Sequence, residues 1–358
     1  MKTSLRVAAT PSPQHRSRPR VNDRPYPKTR PSGQHPRRQF LHLAIGAAAL
    51  PAASRLANDQ TYPSRPITII VPFPAGGGTD VVARVLAERM RESLGRSIIV
   101  ENISGAAGSI GTGRAARARP DGYTIDLGGT SNHVLNGALY SLPYDVLNDF
   151  EPISPLYTQP YILFARQTMP ANDLRELVDW LRANPDKASA AIYAATADLV
   201  TAHFGKETGT RFALVPYRGG VPAVQDLAAG HIDLFVGVPA QLPLARSGSI
   251  KAYAVTSDTR LAVAPDIPTF SEMGLPALSQ SSWYGFFAPR GTPKDVIAKL
   301  NAATIEALAD PVVGSRLADI GAEIFPRQQH TPEALGALVK ADAKRFWPLI
   351  KEFGIKAQ

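Results

Sequence analysis

Residues 67–80 read ITIIVPFPAGGGTD, and this stretch decides the fold. Its first five residues are β-branched throughout, which is typical of a buried strand. Thr79 and Asp80 are good helix caps, and Gly95 is a good helix end. Between these signals an apolar side chain recurs at every fourth position and predicts one face of a helix: Val82, Leu86, Met90 and Leu94. The glycines between strand and helix leave backbone amides bare, so this turn can hold an anion.

From Tyr62 onward, short β-branched runs alternate with helical patterns, which predicts an α/β fold with mostly parallel sheets. The alternation changes at the proline-flanked aromatic segment 152–166 and again at 283–288. We expect these segments to be two crossovers between two lobes. The predicted boundaries are residues 58–158 and 286–358 for lobe 1 and residues 159–285 for lobe 2. Ligands of open α/β sheets bind at the carboxyl ends of strands, here in the cleft between the lobes.

The positive charge of the chain lies in its first 54 residues. The chain has 39 basic and 30 acidic residues. Ten of the basic residues and one of the acidic residues lie in residues 1–54, which leaves 29 of each sign in the rest. A globular part without net charge gives little reason to propose nucleic acid as a partner.

The first 54 residues have the parts of an export signal. Arg37 and Arg38 precede QFL, an apolar stretch runs over 43–50, and small residues occupy 52–54. The pattern resembles a twin-arginine signal cleaved near Ser54, which predicts a periplasmic protein; a disordered basic arm is the alternative. The absence of cysteine fits an exported domain of this size and excludes thiol nucleophiles and thiolate metal sites.

Signatures of catalysis are missing from the sequence. There is no GxxxxGK[ST] loop, no GxSxG elbow and no HExxH, and the glycines at 105, 108 and 111 have the wrong spacing for a dinucleotide site. The histidines outside the leader are scattered, and we expect them at the surface or at helix ends: His133, His203, His231 and His330. We therefore expect no enzyme, no catalytic residue, no cofactor and no metal.

Loops rich in glycine, hydroxyl and aromatic residues follow the predicted strands. They are residues 72–80 (PFPAGGGTD), 128–132 (GGTSN), 195–198 (ATAD), 217–220 (YRGG) and 283–285 (WYG). Backbone amides, hydroxyls and aromatic walls suit a pocket that holds a small polar or anionic molecule without transforming it.

Long motifs carry a family resemblance over nearly the whole chain after Tyr62. They are PFPAGGGTDVVARVLAERM, ENISGAAGSIGTGRAARARPDGYT, VPYRGGVPAVQDLAAGHIDL, APDIPTFSEMG and SSWYGFFAPRGTP. In this order they closely resemble the substrate-binding proteins of the tripartite tricarboxylate transporter system, the Bug proteins. The resemblance implies a two-lobed type II Venus-flytrap receptor. It also implies delivery of a small carboxylate to a membrane permease of a small and a large subunit.

The resemblance also implies which loops bind the ligand. Loops like 72–80 and 128–132 hold a carboxylate through backbone groups and hydroxyls, whereas loops like 194–198 and 217–220 set specificity. The predicted ligand-binding residues are Phe73, Ala75, Gly76, Gly77, Thr79, Asp80, Thr130, Ser131, Asn132, Thr196, Asp198, Tyr217, Arg218, Gly219 and Trp283.

One position departs from the family pattern, because Asp198 stands where many relatives have a histidine. A ligand carboxylate beside a desolvated Asp198 is unfavourable. Our hypothesis is that the ligand presents a donor there, so that it is an amino acid or a nitrogen-bearing aromatic acid rather than a plain tricarboxylate. The alternative is that Asp198 only caps its helix.

Two further side chains have alternative roles. Arg218 is either a bidentate carboxylate clamp or part of a structural ion pair at the rim of the cleft. Phe73 and Trp283 either wall the ligand or, for Trp283, pack in the core of a crossover strand. For the whole protein, a monomeric transport receptor is the expectation, and a ligand sensor or an enzyme on a similar scaffold are the alternatives.

Overall fold

The computed structural model describes residues 62–356. The predicted export signal lies outside the described residues. Among the helices that the structure does describe, none has the length and apolar character needed to cross a membrane.

Eleven strands are present in the described part of the chain. They are β1 (Ile67–Val71), β2 (Ile98–Asn102), β3 (Thr124–Gly129), β4 (Phe150–Pro160), β5 (Ile162–Arg166), β6 (Ser189–Ile192), β7 (Ala213–Pro216), β8 (Leu234–Gly237), β9 (Ile250–Val255), β10 (Ser281–Pro289) and β11 (Glu323–Ile324).

Ten α-helices accompany them over residues 62–356. They are α1 (Gly78–Leu94), α2 (Ser109–Ala116), α3 (Asn136–Leu139), α4 (Leu174–Ala183), α5 (Ala195–Thr208), α6 (Gly220–Ala229), α7 (Leu242–Arg246), α8 (Lys294–Leu308), α9 (Pro311–Asp319) and α10 (Pro332–Phe353).

The strands form two sheets. The first has six strands in the order β11-β4-β10-β3-β1-β2, and the second has five in the order β7-β6-β8-β5-β9. β1 is parallel to β2 and β3, and β6 is parallel to β7 and β8. β10 is antiparallel to β3 and β4, and β5 is antiparallel to β8 and β9.

The prediction of mostly parallel sheets is therefore wrong, because both sheets are mixed. The reason lies in the crossovers. β4 continues into β5 with one intervening residue, so the chain passes directly from the first sheet into the second. A strand that enters a sheet from the cleft must run opposite to strands that end at the cleft, and this applies to β5 and β10.

The two-lobed architecture with two crossover strands is confirmed. The first sheet takes β1–β4 from one end of the described chain and β10 and β11 from the other, whereas β5–β9 form the second sheet. The predicted crossovers at 152–166 and 283–288 coincide with β4, β5 and β10. The lobe boundaries at residues 158, 159, 285 and 286 stay predictions.

Helix α1 shows how the sequence pattern builds the first lobe. Val82, Leu86 and Met90 are buried in the core of the first sheet, as their spacing predicts. Burial of side chains of this size stabilises the fold by about 1.5–3 kcal/mol each. Gly95 ends the helix with φ +65°, and its N–H donates to the carbonyl of Arg91. The packing of α1 fixes the turn that precedes it.

Candidate functional site

The predicted loops lie at the ends of neighbouring strands. β1 and β3 are adjacent in the first sheet, so the turn at 72–77 lies beside the loop at 130–132. β6 and β7 are adjacent in the second sheet, so the turn at 193–194 lies beside the loop at 217–219. The topology thus pairs the loops within each lobe.

The Asp80 carboxylate organises the glycine turn from within. Its Oδ2 accepts hydrogen bonds from the backbone N–H of Gly76 at 2.8 Å and from Nε of Arg84 at 3.1 Å. Its Oδ1 accepts from Nδ2 of Asn102 at 3.0 Å. Burial raises the pKa of this carboxyl, but the hydrogen bonds and the Arg84 charge outweigh burial and hold the pKa below its usual value. Asp80 is therefore an ionised brace beneath the turn.

The glycine turn itself faces solvent. Ala75, Gly76 and Gly77 are exposed, and Gly76 has φ +80°, which favours glycine. The helix cap predicted at Thr79 or Asp80 is instead Gly77, and no described side chain caps α1. The positive end of the α1 dipole is thus left for an external acceptor such as a ligand oxygen.

The loop after β3 is held by its own side chains. Asn132 is buried, its Oδ1 accepts from the N–H of Gly129 at 2.9 Å, and its Nδ2 donates to Oγ1 of Thr112 at 2.6 Å. Oγ1 of the buried Thr130 accepts from the N–H of Trp283 at 3.0 Å. Ser131, between them, is half-buried. Two of the three predicted residues in this loop thus fix its shape.

Four tyrosines that we did not predict as site residues connect the two lobes; we call them the tyrosine cluster (Tyr157, Tyr161, Tyr193 and Tyr284). The rings of Tyr157 and Tyr284 stack with centroids 4.7 Å apart. Burial raises the pKa of both phenols, and the nearby Thr79 side chain offsets part of this increase. The glycine turn therefore lies beside the cluster.

The other end of the tyrosine cluster reaches the second lobe. The hydroxyl of Tyr161 lies 3.0 Å from Oγ of Ser282, and the nearby Thr196 side chain offsets part of the increase in its pKa that burial causes. The hydroxyl of Tyr193 donates to the carbonyl of Val236 at 2.8 Å. The cluster thus extends from the glycine turn across the crossover strands to the start of α5.

Asp198 lies at this end of the cluster and is only 6% exposed. Its Oδ1 accepts from the backbone N–H of Tyr193 at 2.8 Å and of Ala194 at 3.3 Å. Asp198 is not the helix cap that we considered as its alternative role, because α5 begins at Ala195 with Ala194 as its N-cap residue. Burial raises the pKa of the carboxyl to about 6 in spite of these two donors. Burial is the main cause that raises the pKa of Tyr161 and of Tyr193, and the Asp198 charge raises both further.

The loop at 217–219 carries one exposed charge, the guanidinium of Arg218. The hydroxyl of Tyr217 donates to Oδ2 of Asp226 at 2.7 Å. Burial and, to a smaller extent, the Asp226 carboxylate raise the pKa of Tyr217 to about 12. Arg218 is exposed and makes no ion pair with any residue of 62–356, so the predicted structural ion pair is not formed. Gly219 has φ +116° and precedes α6. The carboxylate-binding role of Arg218 stays a prediction.

The two predicted aromatic walls are positioned differently. Phe73 is half-buried against the core of the first sheet. Trp283 is 2% exposed, and its Nε1 donates to Oδ2 of Asp342 in α10 at 2.7 Å. Of the two roles predicted for Trp283, core packing is the one that the structure shows.

The prediction for the histidines is wrong for His133 and His203, whereas His330 lies at a helix end, directly before the N-cap residue Thr331 of α10. His133, His203 and His330 are buried, and only His231 among them is exposed. Nε2 of His133 lies 2.8 Å from Oδ2 of the buried Asp126, and its ring stacks on Phe287. Within residues 62–356 there is no group of three or more His, Asp or Glu side chains placed to hold a metal ion.

Two mixed sheets joined by two extended crossovers, with glycine- and hydroxyl-rich loops at the strand ends, define a two-lobed periplasmic binding protein. Residues 82–355 match the TctC family, described as the tripartite tricarboxylate transporter family receptor. The chain belongs to this family, whose members are solute receptors for transport.

Individual relatives agree over most of their length. The chain is 35% identical over 321 residues to the BugT protein of Bordetella pertussis, which covers 88% of this chain and 96% of that one. The structure of the periplasmic binding protein BugD is 39% identical with a TM-score of 0.71 over 83% of this chain and all of that one. The structure of MatC from Rhodopseudomonas palustris with bound malate is 35% identical, with a TM-score of 0.71. The match covers 81% of this chain and 100% of that one.

Proposed function

We propose that this protein captures a small carboxylate-bearing metabolite between its lobes, in the periplasm, and delivers it to a membrane permease without transforming it. The observation that carries the proposal is the tyrosine cluster, because it lies beside the glycine turn of the first lobe and, through the N–H of Tyr193, donates to Asp198 in the second lobe. The malate in MatC supports a carboxylate as the ligand.

The first lobe supplies the carboxylate site. The uncapped start of α1 attracts a negative charge, and Thr79 and Ser131 add hydroxyl donors. Asp80 does not oppose this charge at close range, because Arg84 neutralises it and Asn102 donates a hydrogen bond to it. Arg218, exposed at the start of α6, supplies a cation from the second lobe.

Asp198 selects what the other end of the ligand carries. A second ligand carboxylate beside this buried carboxyl raises the energy of the complex unless a proton is taken up. An ammonium, amide or ring N–H instead donates to it. We therefore infer that an amino acid or a nitrogen-bearing aromatic acid binds in preference to a plain tricarboxylate.

Mass spectrometry of small molecules released from natively purified protein identifies the ligand. Calorimetry then compares aspartate with succinate, which differ by the ammonium group, in the wild type and in Asp198→Asn. We expect an amino acid to bind at least tenfold more tightly than its matched acid in the wild type and to lose this advantage in the variant. Tight binding of citrate-like triacids, with no binding of amino acids or nicotinate, contradicts the inference.

The remaining parts of the proposal have direct tests. Recovery of the released ligand unchanged after prolonged incubation is expected for a receptor, whereas a product peak identifies an enzyme. Amino-terminal sequencing of the exported protein is expected to start near residue 55, and Arg37→Lys with Arg38→Lys is expected to block export through the twin-arginine route.

A further inference from the structure

A buried pair of ionisable side chains lies behind the loop after β3. Asp126 belongs to β3 and His133 directly follows Asn132, and the side chains of the pair are 0% exposed. Nε2 of His133 lies 2.8 Å from Oδ2 of Asp126. Neither side chain can touch a ligand, so the pair acts on binding only through the backbone between its members, which includes residues 130–132.

Each member of the pair has the other as its hydrogen-bond partner. Within residues 62–356, Oδ1 of Asp126 and Nδ1 of His133 have no further partner. The surroundings are apolar, because Phe150 and Phe287 lie against the imidazole ring. A hydrogen bond between ionisable groups is strong in such surroundings, and the loss of one partner leaves the other buried and unpaired. The contact therefore fixes His133 relative to β3, an interior strand of the first sheet.

The imidazole ring is also held by its packing. It stacks on Phe287 of β10 with centroids 3.8 Å apart and ring planes 10° apart, and it meets Phe150 at 4.5 Å. A Cβ added at Gly128 would lie 2.0 Å from Cδ2 of the ring and 2.3 Å from Nε2. Gly128 does not have a positive φ. The close approach of the ring, rather than the backbone conformation, therefore requires glycine at position 128.

The backbone around His133 adopts an uncommon turn. Ser131–Leu135 is a π-helical turn, and the N–H of Asn136 after it donates to the carbonyl of Ser131. Turns of this type are rare and occur frequently at functional sites. Because the turn begins at Ser131, the anchored imidazole and the predicted ligand-binding loop belong to one continuous segment.

We propose that the pair of Asp126 and His133 is the positioning element of the carboxylate site, since it holds residues 130–132 in their binding geometry before the ligand enters. This inference rests on the proposed function, in which that loop and the glycine turn bind a carboxylate. A loop that is already ordered loses less conformational freedom on binding. The pair thus increases the affinity without contacting the ligand.

Variants of the pair separate position from charge. Asp126→Asn keeps an acceptor for Nε2 of His133. Asp126→Leu combined with His133→Phe keeps a ring against Phe287 and leaves no buried polar group unpaired, so we expect this double variant to melt near the wild-type temperature. We expect it to bind the ligand at least about tenfold more weakly, whereas Asp126→Asn binds within about threefold of the wild type.

Calorimetry on the full-length protein measures the affinity, with aspartate and succinate as probes. Leu181→Ala, in the core of the second lobe, is the control for a general loss of stability, and we expect it to lower the melting temperature without changing the affinity. Hydrogen exchange of the ligand-free protein is the second measurement. The amides of residues 129–135 are expected to exchange at least about tenfold faster in the double variant, and those of residues 74–78 at an unchanged rate.

Unchanged exchange at residues 129–135, or unchanged affinity in the double variant, overturns the proposal. An equal loss of affinity in Asp126→Asn or in Leu181→Ala also overturns it, because charge or general stability is then the cause. If neither probe binds to the wild type, the failure lies with the proposed ligand class, and hydrogen exchange still decides whether the pair positions the loop.

Discussion

The Asp198 carboxylate accepts a 2.8 Å hydrogen bond from the backbone N–H of Tyr193, so a buried acid is tied to the turn two residues before α5 begins. The contact joins structure and selectivity at one side chain. The Asp198 carboxylate accepts hydrogen bonds from the residues before α5, and we propose that the same carboxylate binds a donor group of the ligand.

The pH dependence of stability tests the burial of Asp198. Its pKa is about 6 in the folded protein against the ordinary value of 3.8, so the unfolded state loses its proton first as the pH rises. The stabilising contribution of the protonated form is complete below pH 3.8 and is lost as the pH rises through about 6. Asp198→Asn avoids this loss. As the pH rises from 4 to 7, its unfolding free energy relative to that of the wild type is expected to increase by roughly 2–3 kcal/mol.

Urea unfolding at both pH values measures this gain for Asp198→Asn. Glu88→Gln at an exposed site of α1 is the control, and its difference from the wild type is expected to stay small at both pH values. A difference between Asp198→Asn and the wild type that does not change with pH shows that Asp198 is not desolvated.

Removal of the Asp80 carboxylate is expected to disrupt the glycine turn. Asp80→Ala leaves the N–H of Gly76 without its acceptor and Nδ2 of Asn102 with only the Phe73 carbonyl, at a cost of about 2–3 kcal/mol in unfolding free energy. The pKa of Asp80 is lowered in the fold, so its contribution is present above the unfolded value of 3.8 and is lost as the pH falls through the lower folded value.

Chemical denaturation at pH 7 measures the effect of Asp80→Ala. Glu88→Ala removes an exposed carboxylate that pairs with Arg91 on the same helix, and we expect a much smaller loss because solvent screens this pair. Similar losses in the two variants contradict the bracing role of Asp80.

The sequence predicts the elements of this fold better than it predicts their directions. The four-residue spacing from Val82 to Met90 and the β-branched run at 67–71 are local signals, and both elements are confirmed. Strand direction depends on where the chain crosses between lobes, which no local pattern records. Helix α9 and the two-residue strand β11 were not predicted because each is too short for a clear period.

The candidate site shows the same limit. Arg84 stands four residues after Asp80 and could be paired with it from the sequence, but Asn102 reaches Asp80 only because β2 lies beside β1. Tyr157 and Tyr284 meet through the register of β4 with β10, across 127 positions of sequence. The loops are therefore visible in the sequence, whereas the tyrosine cluster that joins them is not.

Glycine 76 and Gly209 form a matched pair that separates binding from stability. Both have positive φ, +80° and +63°, and an added Cβ has no neighbour within 4 Å in either case. We expect Gly76→Ala and Gly209→Ala to lower the unfolding free energy by similar amounts, about 1–2 kcal/mol each, through backbone strain. Only Gly76→Ala is expected to weaken ligand binding, because only Gly76 lies in the glycine turn; equal binding losses contradict the assignment of that turn.

Arg218 provides the test of the second lobe. It is exposed and without an ion pair in residues 62–356, so Arg218→Ala is expected to leave the melting temperature unchanged. If its guanidinium pairs with the ligand carboxylate when the lobes close, the affinity falls by about tenfold or more, since charge-assisted hydrogen bonds contribute about 1.5–3 kcal/mol. Arg211→Ala is the control, because Arg211 is equally exposed but pairs with Asp186 at 2.6 Å. Calorimetry with the ligand released from the native protein measures both variants, and an unchanged affinity in Arg218→Ala removes Arg218 from the site.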